Sequence, residues 1–152
     1  LELVKYHFKE VVEFEKEDFA WLPSSKVVLI AGGEAVGCMD LTKIKKSDID
    51  FSSDTILIHL PSPELCYFKI DHEKSKVYSL EYTYFQDKNL IDQAYKAAEG
   101  QLKKSALDLN ILEQTQKNAE VILKPLLESI TNKKILFVHH RISEDPELSP
   151  DK

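Results

Sequence analysis

The chain has 152 residues, 43% of them hydrophobic, and its 20 basic and 26 acidic side chains give a net charge of −6. A sequence this apolar can bury enough surface to offset chain entropy, so the composition excludes a disordered chain and favours one globular domain. The negative charge argues against nucleic acid as a partner, because phosphate binding requires clustered Lys and Arg. The longest apolar run, Val27–Ala31, is far shorter than the ~20 residues of a membrane-spanning helix.

The first third of the chain has the alternation of β-strands. From Val4 to Phe14, apolar side chains alternate with charged ones, which is the pattern of a strand with one buried face. Val27–Ala31 is apolar at its odd-numbered and its even-numbered positions, which predicts a central strand covered on both faces. Gly32-Gly33 predicts a bend or bulge, after which the strand signal resumes from Ala35 to Leu41.

Three further strands are predicted in the middle of the chain. Residues 55–60 alternate between apolar and polar side chains, and Pro61 ends that strand. Leu65–Asp71 and Lys76–Phe85 flank the polar segment His72–Ser75. Four turn residues between two strands predict a hairpin.

The hydrophobic period changes near Asp87 from that of a strand to that of a helix, and two helical stripes follow. The first contains Leu90, Ala94, Ala97, Ala98 and Leu102, and the second contains Leu112, Ala119, Ile122, Leu123, Leu126, Leu127 and Ile130. Between them, Asn110 either ends the first helix in a left-handed conformation or caps the second, with Glu113 completing a capping box. Lys134–Val138 predicts a final strand.

This order of elements predicts an α+β fold, because strands and helices are segregated along the chain. We expect a mostly antiparallel, twisted sheet of five to seven strands. Two consecutive C-terminal helices pack on one of its faces, and a short strand ends the fold. Residues 1–140 are predicted to form a single domain, and residues 141–152 an acidic, flexible tail.

The two cysteines, Cys38 and Cys66, are too few for a disulfide framework. Cys66 alternates with Phe68 and Ile70, which favours a buried thiol, and Cys38 follows Val36 at the same parity. We therefore expect two free thiols in the core, with one bridge between neighbouring strands as the alternative.

No catalytic residue, cofactor site or metal site is predicted. The segment Gly32–Gly37 matches neither a dinucleotide-binding nor a Walker spacing, and no Gly-x-Ser-x-Gly nucleophile motif is present. None of the five histidines has the i, i+4 partner of a helical zinc site, and His139-His140 point to opposite faces of a strand. The histidines are interpreted as surface residues.

One strand carries a candidate interaction surface. Tyr78, Tyr82 and Tyr84 share a strand face with Leu80, which gives a large apolar area with hydroxyl groups at its edge, as binding surfaces often have. His59, on the polar parity of its own strand, is the fourth candidate residue. The alternative is that the tyrosine stripe packs beneath the two helices.

Three blocks of sequence resemble the bacterial protein family of unknown function DUF4230. They are Gly33–Leu41, Leu60–Leu65 and the helical Ala106–Leu112 followed by Asn118-Ala119. The resemblance extends from about Val4 to Val138. The family tends to have Gly where this chain has Asn110, and a left-handed backbone at that position explains both residues.

The resemblance implies where the domain is located, although it supplies no catalytic residue and no substrate. Members of this family commonly carry a membrane helix ahead of the domain. The resemblance therefore implies an N-terminal membrane anchor before Leu1 and a domain that faces the periplasm or the cell exterior.

Two functions remain open at this point. The first is a membrane-anchored, extracytoplasmic domain that binds or scaffolds an unknown protein partner, or self-associates, without catalysis. The second is a hydrolase-type enzyme whose acids and histidine are brought together only by folding. A cleft that holds His59 or His72 beside two carboxylates with a raised pKa would favour the enzyme, whereas an unbroken, shallow surface would favour the binding domain.

Overall fold

A computed structural model describes residues 1–17, 19–82 and 88–139 of the chain. The six strands are β1 (Glu2–Lys16), β2 (Ser25–Cys38), β3 (Ile49–Phe51), β4 (Thr55–Leu60), β5 (Glu64–Glu81) and β6 (Lys134–His139). The helices α1 (Lys88–Asp108) and α2 (Ile111–Thr131) follow β5 and precede β6. The α+β class, the two consecutive helices and the final short strand are thus confirmed.

The first sheet has the order β1-β2-β5, and both of its pairings are antiparallel. The central strand β2 runs unbroken through Gly32-Gly33. Its helix-facing side chains Val27, Leu29 and Ala35 are fully buried. On the opposite face Val28 and Ile30 are only half-buried, so the prediction that this strand is covered on both faces is wrong. Strand β2 is central because it has a partner strand on each side, and α1 covers one of its faces.

The predicted hairpin at His72–Ser75 is wrong, because this segment is a bulge inside the single strand β5. Strand β2 pairs with β5 on both sides of it, Gly32 with Asp71 and Ile30 with Lys76. The Asp71 carboxylate accepts hydrogen bonds from the backbone N–H groups of Glu73 and Lys74, which closes a local turn. The hydroxyl of Ser75 accepts a bond from the Gly32 N–H, and the chain then continues in its original direction.

The strands are divided between two three-stranded sheets, whereas the sequence pattern predicts one larger sheet. The second sheet has the order β3-β4-β6. Its β3–β4 pairing is antiparallel, and its β4–β6 pairing is parallel because the helices cross over between those two strands. Along the chain, β3 and β4 lie between the end of β2 and the start of β5.

Each sheet has its own core, and α2 packs against both. Buried α1 residues, among them Ala94 and Ala98, pack on the first sheet. Ile111, at the start of α2, belongs to that same core. Ala119 lies in the second core with Ile58, and Leu123 and Leu127 pack against it.

The predicted apolar stripe of α2 is only partly core. Leu112, Leu123 and Leu127 are half-buried and Ala119 is buried, as expected for the inner face. Ile122, Leu126 and Ile130 are exposed instead. The buried positions follow the row of Ile111, Thr115 and Ala119, and the exposed residues lie on a neighbouring row of the helix surface that faces solvent.

Asn110 has the left-handed conformation, with φ 57° and ψ 37°, as the sequence predicts. Its side chain makes no capping hydrogen bond, so the capping box with Glu113 is not formed. The backbone carbonyl of Asn110 accepts the first helical bond, from the N–H of Gln114. Asn110 therefore acts through its backbone, as the hinge between α1 and α2.

Cys38 and Cys66 are joined by a disulfide, with their Cα atoms 6.0 Å apart. The expectation of two free thiols is wrong, and Cys66 is exposed and not buried. Because Gly37 pairs with Leu65 and Val36 with Tyr67, Cys66 is the extra residue of a bulge in β5. The bulge shifts Cys66 out of the alternation that the sequence predicts, next to the end of β2.

Candidate functional site

One end of the first sheet carries an exposed cluster of large apolar side chains, which we call the aromatic end. It consists of Phe19, Trp21, Tyr78, Leu80 and Tyr82. Trp21 has 78% and Tyr78 has 70% of its surface exposed. Large aromatic side chains are enriched at protein interfaces, so their concentration at one end of the sheet indicates a binding surface.

The β1–β2 connection and the end of β5 bring these side chains together. Lys16 pairs with Ser25, so Phe19 and Trp21 lie in the short connection beyond that pair. A turn bonds the Leu22 N–H to the Phe19 carbonyl at 3.1 Å. The rings of Phe19 and Trp21 have their centroids 5.9 Å apart. The two exposed rings therefore support each other at the tip of the hairpin.

Strand β5 ends at the same tip. Glu81 pairs with Lys26, and Leu80 pairs with Val27. The Ser25 hydroxyl donates a 3.0 Å hydrogen bond to the carbonyl of Tyr82. Tyr82 has a positive φ of 53°, a conformation that L-residues adopt at an energetic cost. The bond from Ser25 helps to hold Tyr82 in this conformation.

Acidic side chains surround the aromatic end. Lys26 Nζ lies 3.0 Å from Glu13 Oε2. This hydrogen bond and the charge of Glu13 raise the pKa of Lys26, and the charges of Glu15 and Glu81 raise it further. Lys26 therefore lies near the carboxylates of three residues, Glu13, Glu15 and Glu81.

Two of the four residues predicted for an interaction surface belong to the aromatic end. Tyr78 and Tyr82 are exposed, so the alternative that they pack beneath the helices is wrong. Tyr84 lies outside the described residues. Phe19 and Trp21 are not among the candidates predicted from the sequence. The feature that could have indicated them is two large aromatic residues within a predicted turn before Pro23, where side chains are usually exposed.

His59 is not part of this surface. It lies on β4 in the second sheet, where its Nε2 atom is 3.7 Å from Asp50 Oδ2. The second sheet follows the Cys38 end of β2, whereas the aromatic end lies at the Ser25 end. The 14 residues of β2 correspond to about 45 Å of strand. The fold therefore separates His59 from the two tyrosines.

A groove of about 460 Å³ lies between the bulge of β5 and the first turns of α1. The rings of His72 and Tyr95 stack there with centroids 4.6 Å apart. Asp92, Lys96 and Glu99 also line it, so a histidine and two carboxylates share one groove. Within the part of the chain that the structure describes, no three His, Cys, Asp or Glu side chains are grouped so as to hold a metal ion.

A second exposed apolar surface lies on α2. It consists of Val121, Ile122, Leu126 and Ile130, and Pro125 lies among them inside the helix. These side chains are aliphatic, and they are separate from the aromatic end. None of the helices in residues 1–17, 19–82 and 88–139 is long and apolar enough to cross a bilayer.

Comparison with known proteins gives one match. A family described as protein of unknown function (DUF4230) matches residues 1–136. No curated protein and no solved structure matches the chain. The matched range includes both sheets up to β6, both helices and the whole aromatic end.

Proposed function

The chain belongs to the DUF4230 family of proteins of unknown function, and we propose that it is a membrane-anchored, extracytoplasmic domain that binds or scaffolds a partner protein without catalysis. The observation that carries the proposal is the aromatic end. Exposed Trp and Tyr side chains are costly in water, and they are the residue types that dominate binding energy at interfaces. Their grouping at one end of a sheet supports a binding role.

The disulfide supports a location outside the cytoplasm. Disulfides such as Cys38–Cys66 persist in oxidising compartments and are rare where glutathione and thioredoxin keep thiols reduced. Leu1 lies beside Met39, whose N–H donates to the Leu1 carbonyl at 2.9 Å. An anchor before Leu1 would thus hold the second-sheet end near the membrane and leave the aromatic end directed away from it.

The location is tested on the full-length protein in its own cell. An epitope tag at the C-terminus of the full-length protein is followed through membrane fractionation, and protease is then added to intact spheroplasts. We expect the tag in the membrane fraction and its loss on protease treatment, while a cytoplasmic control protein stays intact. A tag that stays protected together with the control would contradict the extracytoplasmic location.

The groove beside α1 is the observation behind the second candidate function, a hydrolase. His72, Asp92 and Glu99 line it together, and these are side-chain types that serve as general acids and bases. The test is the purified chain with chromogenic carboxylic and phosphoric esters, compared with His72→Ala. Turnover that is lost in His72→Ala would favour the enzyme over the binding domain, whereas equal background rates for the two proteins would exclude hydrolysis of these esters.

A further inference from the structure

We propose that the aromatic end binds a basic segment of a partner protein, with Lys or Arg side chains placed against its rings and between its carboxylates. The inference rests on the proposed function, because it names the class of partner for the same surface. It follows from two features that act together, the electron-rich faces of exposed rings and the local excess of negative charge.

The charge around the aromatic end is unbalanced. Among the described residues, the strand ends and the connection that form it carry four carboxylates, Glu13, Glu15, Glu17 and Glu81, and two ammonium groups, Lys16 and Lys26. Lys26 pairs with Glu13. An incoming guanidinium or ammonium group would therefore meet more carboxylates than ammonium groups on the strands that carry the rings.

The rings offer a second attraction for cations. The face of an indole or phenol ring attracts a cation within about 6 Å, and the attraction is strongest for Trp. Trp21 and Tyr78 are the most exposed members of the aromatic end. Carboxylates beside exposed rings provide the two kinds of contact that Arg and Lys make best, so this chemistry selects a basic partner.

Other occupants fit the surface less well. A second copy of the chain would bring the same excess of carboxylates, and like charges oppose such a contact. An anionic lipid surface is repelled for the same reason. The aliphatic surface on α2 lacks both the rings and the carboxylate excess, which makes it a suitable control region.

Trp21 reports directly on binding, because it is the only tryptophan of the chain. The chain of residues 1–152 is titrated with a short synthetic peptide that contains four Arg, while the Trp21 fluorescence is recorded. Peptides with Gln or Glu in place of Arg, and vesicles of equal phosphatidylglycerol and phosphatidylcholine, are titrated in parallel. We expect a saturable change with the Arg peptide only, and one that weakens as salt screens the charges.

Two variants test separately how much the rings and the carboxylates contribute to binding of the Arg peptide. Tyr78→Ser removes a ring and Glu81→Lys reverses a charge, and each should weaken binding of the Arg peptide about two- to fivefold. Val121→Ser, which changes an equally exposed apolar residue on α2, should leave it unchanged. Urea unfolding of each variant verifies that it is folded.

Each remaining outcome overturns the inference. These outcomes are equal binding of the Gln or Glu peptide, a Trp21 response to vesicles, self-association of the chain without peptide, or no response to the Arg peptide. They leave the proposed extracytoplasmic location standing, because the protease test in spheroplasts does not depend on the class of partner. A failure in spheroplasts likewise leaves the peptide titration valid.

Discussion

Single residues redirect the backbone of this protein where the sequence pattern favours another structure. Asp71 and Ser75 convert a predicted hairpin turn into a bulge, because they bond to groups of the same strand and of β2. Gly32 permits the bulge, since a Cβ atom there would lie 2.9 Å from Lys74 Cβ. The side chains of Asp71 and Ser75, together with the absence of one at Gly32, thus let β5 continue for 18 residues.

Asp71 should contribute to the loss of stability in acid. Desolvation raises the pKa of its carboxyl, but hydrogen bonds from Lys74 and from the backbone of Glu73 and Lys74 outweigh it and keep the pKa below its usual value. The stabilisation is therefore complete above the unfolded pKa, near pH 4, and is lost as pH falls through the lower folded pKa.

The measurement is urea unfolding at pH 6 and pH 3. We expect Asp71→Asn to be less stable than the parent at pH 6 and to lose less stability on acidification. Glu73→Gln removes a neighbouring charge and keeps the backbone bonds of the turn, so it serves as the control. An identical loss on acidification in the parent and in Asp71→Asn would refute the role of this carboxyl.

Gly37 marks the closest approach of α2 to the first sheet. A Cβ atom at this position would collide with Thr115 Oγ1, and the Thr115 hydroxyl is buried in a 2.6 Å bond to the Ile111 carbonyl. We expect Gly37→Ala to destabilise the protein by about 1–3 kcal/mol, the usual cost of an overpacked core.

Gly100 provides the matched control, because no atom lies within 4 Å of its Cβ position and it lies in the interior of α1. Gly100→Ala should stabilise the protein by about 0.5–1 kcal/mol through helix propensity. Thermal and urea unfolding of both variants measure the contrast. Equal shifts in the same direction would contradict the assignment of Gly37 as a contact position.

Among the elements, α2 has two apolar rows with different roles. The row that begins at Ile111 is buried against both cores, whereas the row of Ile122, Leu126 and Ile130 is exposed. The spacing is the same in both rows, so the sequence alone assigns them to one face. Only the packing of α2 against the two cores distinguishes them.

Equivalent substitutions in the two rows should lower the free energy of unfolding by different amounts. Ile111 is fully buried, so Ile111→Ala should cost about 2–5 kcal/mol, whereas Ile130 is 68% exposed and Ile130→Ala should change stability by less than about 0.5 kcal/mol. Urea unfolding measures both variants. A large loss for Ile130→Ala would mean that this row is covered in solution, and its dependence on protein concentration would identify self-association.

At the scale of the whole molecule, the disulfide closes the segment that forms two of the three strands of the second sheet. Cys38 and Cys66 are 28 residues apart, and β3 and β4 lie between them. The bridge therefore joins the end of β2 to the start of β5, where the chain leaves the first sheet and returns to it.

Replacing both cysteines, as Cys38→Ala with Cys66→Ala, should lower the free energy of unfolding by about 3–4 kcal/mol in the chain-entropy description of a loop of this length. Reductant should destabilise the parent protein by a similar amount and leave the double variant unchanged. A parent protein with the same stability with and without reductant would show that the bridge is absent.

Those residues of the candidate site could be predicted from the sequence that belong to a pattern among neighbouring residues of the chain. Tyr78 and Tyr82 were identified because alternation along one strand is a property of neighbouring residues. Phe19 and Trp21 were not, because a turn has no periodicity that indicates which side chains it exposes. His59 was grouped with the tyrosines because sequence gives no distance between strands that belong to different sheets.

The sequence by itself determined the α+β class, the two consecutive helices and the final strand, and it offered the left-handed Asn110 as one of two roles, because periods of 2 and 3.6 residues and positive-φ preferences are local properties. The tertiary structure decided that β5 is one strand, that two sheets form, that Cys38 meets Cys66 and which row of α2 is buried. Each of these depends on a partner distant in the chain. The same polar turn, cysteine or apolar row is compatible with more than one neighbour, and packing selects among them.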